Sequence, residues 1–117
     1  MKKPANLLKN LPPPDAEEFF ETLLDQPDFR LERIVSQGHV TPPGEWYDQD
    51  RDEWILLLSG GATLLFEHEE QPVRLEAGDH LHLPAHVRHR VEWTDPAQST
   101  IWLALHFRGK VGAAAPG

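Results

Sequence analysis

At 117 residues, with 39% apolar side chains and no cysteine, the chain has the material for one domain with a real core and none for disulfide or thiolate chemistry. A net charge of −8 argues against a nucleic-acid backbone or an anionic membrane surface as partner, since both call for clustered Lys and Arg. No apolar run reaches the length of a membrane span, and no apolar core follows Lys2 and Lys3, so a cytoplasmic location is expected.

Residues 1–14 hold four of the eleven prolines, among them Pro12, Pro13 and Pro14, and read as an extended arm. Asp15 with Glu18 resembles a capping box, and Phe19, Phe20, Leu23 and Leu24 recur at helical spacing, which predicts a short helix ending before Pro27. The arm and helix together make residues 1–28. From Phe29 the period changes to two, and Gly38 closes that run. Turn signals then separate short apolar runs at 53–58, 62–67, 73–76, 80–83, 89–93 and 100–108. Ser59-Gly60-Gly61 reads as a tight hairpin. Many short strands at near-regular spacing predict an all-β sandwich or barrel over residues 29–108, with residues 109–117 as a flexible tail.

The segment Asp79 to Trp93 carries the most information. Leu81 and Leu83 alternate with His80 and His82, Pro84 ends the run, and His89, Val91 and Trp93 share one face of the returning strand. Gly78, Pro84 and His89 stand at the spacing glycine, five residues, proline, four residues, histidine, while Glu53 and Gly60 are separated by six residues in EWILLLSG. In both respects the chain resembles the cupin superfamily, specifically its small single-domain members, and the resemblance implies a double-stranded β-helix, or jelly-roll barrel. The family's two upstream histidine positions fall here on Trp46 and Asp48 or, with the shorter gap, on Tyr47 and Gln49, so the first motif is degenerate.

What the resemblance implies about the site leaves two readings open. Asp48, Glu53 and His89 would make a hard ligand field for manganese, iron(II) or magnesium. Alternatively Glu53 pairs with an arginine such as Arg88 or Arg90, and His89 only hydrogen-bonds within a polar, metal-free pocket. Trp46, Tyr47 and Gln49, with His86 near the rim, are candidate ligand-binding residues, because flat aromatic faces with a polar handle suit a small organic molecule. His86 is also the candidate general base. His80, His82 and His68 are expected on the solvent side, and His106 as a satisfied core or interface histidine. His39, just before the Pro-Pro turn, could reach the mouth.

Three functions follow as alternatives. The first is a small-molecule-binding protein with its pocket at the barrel mouth. The second is a metal-dependent oxygenase or isomerase acting on a small polar metabolite. The third is an interaction module with a vestigial pocket. A homodimer is expected as well: Glu53 to Leu58 is apolar on both faces, and a barrel this small can bury only one of them.

Overall fold

The computed structural model describes residues 2–109, and every regular element among them is a β-strand. In chain order these are β1 (Phe19–Asp25), β2 (Phe29–Ser36), β3 (Asp52–Ser59), β4 (Gly61–Phe66), β5 (Val73–Glu76), β6 (His80–Leu83), β7 (His89–Thr94) and β8 (Thr100–Phe107). No helix long and apolar enough to cross a membrane occurs among the described residues. The expected flexible tail lies, from residue 110 on, outside them.

The strands form two antiparallel sheets, one of five strands in the order β1-β2-β8-β3-β6 and one of three in the order β5-β4-β7. Cross-strand partners share a face, so register identifies the inner row of the larger sheet. Glu53 pairs with His106, Ile55 with Ala104 and Leu57 with Trp102 between β3 and β8. Across β2 and β8, Glu32 pairs with Ala104 and Ile34 with Trp102. The apolar members of that row meet Ala62 and Leu64 of β4 and Leu75 of β5, and this is the core between the sheets. Toward one end of the same row the partners become Glu32, Glu53 and His106. The polar site is therefore a continuation of the core, on the same strands.

Two expectations fail. Phe19–Asp25 is strand β1, not a helix, and pairs antiparallel with β2 from Phe19↔Val35 to Asp25↔Arg30 with a bulge between Thr22 and Leu24. The reciprocal bonds Gln26 N–H to Phe29 O (2.9 Å) and Phe29 N–H to Gln26 O (3.3 Å) make DQPD a hairpin turn. A helix of this length is marginal alone. Along β2, the strand gives Phe, Thr and Leu a ladder of backbone partners instead. Nor is Ser59-Gly60-Gly61 a hairpin, since β3 and β4 lie in different sheets. Gly60, at φ +90°, takes the chain around the corner, and a Cβ there would come within 2.6 Å of Thr100 Cα. The Thr100 hydroxyl fastens the corner: it donates to Gly61 O at 3.1 Å, and its Oγ1 accepts from Gly61 N–H at 3.3 Å.

Candidate functional site

A cavity of about 90 Å³ opens between the sheets where the inner row turns polar. Glu53 from β3, His89 from β7, His106 from β8 and Glu32 from β2 line it, with Trp102 and Leu64 toward the core. Glu53 and His89 are each 7% exposed and His106 5%.

Tyr47 supplies one wall. Its backbone bridges to His89, with Tyr47 N–H to His89 O at 2.7 Å and His89 N–H to Tyr47 O at 3.2 Å. Beyond the bridge His86 N–H donates to Gln49 O at 2.9 Å. Residues 46–49 therefore run like a short added strand, whose side chains alternate in direction. Tyr47 and Gln49 line the cavity. Trp46 instead lies near the guanidinium groups of Arg88 and Arg90, at 5.8 and 6.0 Å from its ring. Asp48 pairs with His86 Nδ1 at 2.8 Å, both exposed. His86 stands at φ 65°, a left-handed turn that histidine tolerates better than most side chains.

The candidate residues thus divide. Tyr47, Gln49, Glu53 and His89 come together, whereas Trp46, Asp48 and His86 form a separate outer group that does not line the cavity. As a metal set, Asp48, Glu53 and His89 do not converge. His106 Nε2 bonds Glu32 Oε1 at 2.8 Å and lies 3.8 Å from Glu53 Oε2. No group of three or more His, Cys, Asp or Glu side chains among the described residues is arranged to hold a metal ion. The donor set present does not fit the divalent ion that the resemblance implied. The arginine alternative fails too, because Arg88 pairs with Glu67 at 2.6 Å and Arg90 with Glu92 at 2.7 Å.

Glu53 is left in an unusual position. Its nearest basic atoms are His89 Nε2 at 3.7 Å and His106 Nε2 at 3.8 Å, both beyond hydrogen-bond reach. Burial pushes its pKa up, with the two histidines and Arg30 opposing that and the Glu32 charge adding to it. Glu32 moves the other way, lowered chiefly by its hydrogen bond with His106. His89 Nδ1 lies 3.1 Å from the Val87 carbonyl, which only accepts, so Nδ1 carries a proton and Nε2 is the ring atom turned toward Glu53. The Tyr47 ring stacks on this imidazole, with centroids 5.5 Å apart. Burial also raises the Tyr47 hydroxyl pKa, more than any other cause.

Sequence reasoning does not find Glu18, Glu32, Trp102 and His106 as site residues. His106 is indeed a satisfied buried histidine, and it also lines the cavity. Trp102 and Ala104 mark its face in the sequence. The missing signal is the register that sets Glu53 opposite it. His39 is fully engaged elsewhere: Nδ1 accepts from Gln37 N–H at 2.8 Å, so Nε2 donates to Ala16 O at 3.0 Å. His82 pairs with Asp52 at 2.7 Å on the exposed side.

Comparison with known proteins bears on this site through its fold and through one close relative. A putative mannose-6-phosphate isomerase from Ralstonia eutropha JMP134 is 42% identical, covers 92% of this chain and 100% of its own, and superposes with a TM-score of 0.88. An RmlC-like cupin from Desulfovibrio desulfuricans (16% identity, 92% of this chain and 97% of its own, TM-score 0.71) shares the fold. So does an RmlC-like cupin with a double-stranded β-helix fold from Methanocaldococcus jannaschii (18% identity, 80% and 84%, TM-score 0.65). No curated protein sequence matches the chain. Residues 33–106 match the cupin domain family, from within β2 to within β8, and the chain belongs to that family.

Proposed function

We propose that the protein binds a small polar molecule, or the polar end of a larger one, in the cavity between its sheets. Tyr47 and Gln49 meet it at the mouth and Glu53 and His89 inside. The observation that carries this reading is Glu53, a carboxyl group 7% exposed with no hydrogen bond among the described residues. Leaving such a group unpaired is costly, and a purely structural barrel gains nothing from it. A ligand donor is the missing partner. Titration of labelled protein with a metabolite mixture, followed by NMR, tests the reading. Shifts confined to Trp102, His89 and Tyr47, and abolished by Gln49→Trp at the mouth, support it; shifts that survive Gln49→Trp sink it.

A second reading, proton-transfer catalysis in the same cavity, is favoured by the two imidazoles flanking Glu53. A buried carboxyl group with a raised pKa between two imidazole nitrogens suits moving a proton at a carbon next to a carbonyl. Aldose–ketose isomerisation, the chemistry in the Ralstonia protein's name, is one such reaction. The proton steps are assigned to these side chains themselves, since no metal set forms among the described residues. Solvent deuterium entering a bound carbonyl compound, and lost in Glu53→Gln, is the expected result. Binding with no exchange leaves only the first reading.

A further inference from the structure

We infer that the ligand of this cavity is a small organic cation, an alkylammonium in chemical class, and not a phosphate or a carboxylate. The inference rests on the binding reading above and narrows it to one charge type.

The first argument is the sign of the lining. Glu18, Glu32 and Glu53 face the cavity with His89 and His106, and no Lys or Arg among the described residues lines it. Arg30 acts on Glu32 and Glu53 through space but is exposed and outside the lining. Arg33, the buried arginine of β2, belongs to the opposite face and is occupied by the Leu7, Lys9 and Asn10 carbonyls and by Glu21. A phosphate entering here would meet three carboxyl groups and no guanidinium fork, the reverse of how phosphates are held.

Acceptors without donors make the second argument. Glu53 is the free acceptor and calls for a donor, which an ammonium supplies with charge. Glu18 takes the Ser36 hydroxyl on Oε2, which leaves its other oxygen available at the mouth. Trp102, 5% exposed, lines the same cavity with its ring, and its indole N–H, which has no partner among the described residues, lies just beneath the cavity surface, where it reports on occupancy. The rings of Tyr47, Phe20 and Trp102 in the lining provide negative faces for a cation.

Size is the third. The cavity, about 90 Å³, is smaller than the ~150 Å³ that accommodates benzene in an engineered core, so only a handful of heavy atoms enter.

Three probes of equal length separate the charge types: 3-amino-1-propanol, propane-1,3-diol and 3-hydroxypropanoate, each titrated while the Trp102 indole N–H is followed by NMR. Mannose 6-phosphate is the fourth probe. The amino alcohol is expected to move that signal with at least tenfold higher affinity than the diol, and the two anions are expected to leave it unmoved. Glu53→Gln should bring the amino alcohol down to the level of the diol. If that variant does not fold, Glu18→Gln should weaken the amino alcohol several-fold and leave the diol unchanged. The charge assignment is overturned if the diol or either anion matches the amino alcohol, or if neither substitution weakens it. In the first of those cases the cavity remains a binding site. If no probe moves the indole signal, the cation inference falls, and the metabolite titration with Gln49→Trp then decides the binding reading separately.

Discussion

Glu53 and Glu32 belong to one cavity, yet their surroundings push them in opposite directions, and pH separates them. Burial raises Glu53, so the proton it keeps in the folded state stabilises the fold fully below its ordinary value of 4.5. That contribution is lost as pH rises from there through the raised value. Glu32 is lowered by its bond with His106, so its contribution is present above 4.5 and is lost as pH falls through the lowered value. Glu53→Gln is therefore expected to stabilise the protein near neutral pH by about 1–2 kcal/mol, with the gain vanishing below 4.5. Glu32→Gln should destabilise at neutral pH by about 1–3 kcal/mol, and that loss should shrink in acid. Thermal denaturation of both variants across pH checks the pair. Same-sign changes at neutral pH would refute the assignment of Glu53 as the unpartnered group. At this scale the sequence reveals Glu53 and His89 through their motif spacing. It does not reveal Glu32, because on β2 both Leu31-Arg33-Val35 and Arg30-Glu32-Ile34 mix charge with apolar bulk. Parity alone does not say which row faces inward. Only register, Ile34 beside Trp102, decides it.

The elements are legible where period two and turn residues agree, as in β3 to β8, and illegible where two local codes overlap. FFETLLD places apolar residues four apart, as a helix does, and also offers strand-favouring side chains ahead of a DQPD turn. The neighbouring strand β2 decides for the sheet. Likewise Ser59-Gly60-Gly61 marks a reversal correctly, but a turn between hydrogen-bonded neighbours and a corner between sheets use the same residues. The two motif glycines make the difference measurable. Gly60 and Gly78 both have positive φ, +90° and +95°, but only Gly60 is crowded, since a Cβ on it would meet backbone atoms of Thr100 and Ser99 at 2.6 and 2.8 Å. Gly78→Ala meets nothing within 4 Å and should cost about 1–2 kcal/mol from its backbone conformation alone. Gly60→Ala adds overpacking against backbone and should cost about 3 kcal/mol or more. Urea denaturation of the two variants gives the comparison, and equal losses would mean that the corner is not the constraint.

For the whole molecule, the unfinished surface is the β1 edge of the five-stranded sheet. No helix covers the outer face of β3, yet Trp54, Leu56 and Leu58 on that face are already half-buried. The arm lies instead by β2, where its carbonyls accept from Arg33. What stands open is β1 itself, with Phe19 36%, Phe20 53%, Leu23 36% and Leu24 49% exposed. It has one neighbour, β2, so the backbone groups of its other edge point away from the sheet. Folded proteins usually guard such an edge with lysine, proline or bulges; FFETLLD contains neither lysine nor proline, and its one bulge lies between Thr22 and Leu24. We propose that a second copy of the chain covers it. An antiparallel pair of identical strands about a twofold axis is self-complementary and leaves no further edge open at that side, which an open-ended contact would not achieve. Phe20 belongs both to this edge and to the cavity lining, so the pairing would also bear on ligand access. Light scattering at micromolar concentration should give twice 13.3 kDa. Phe19→Lys with Leu24→Lys, both on the exposed strand, should return it to the monomer mass and keep the β-sheet dichroism. A wild-type mass of 13.3 kDa that concentration does not change would rule the pairing out.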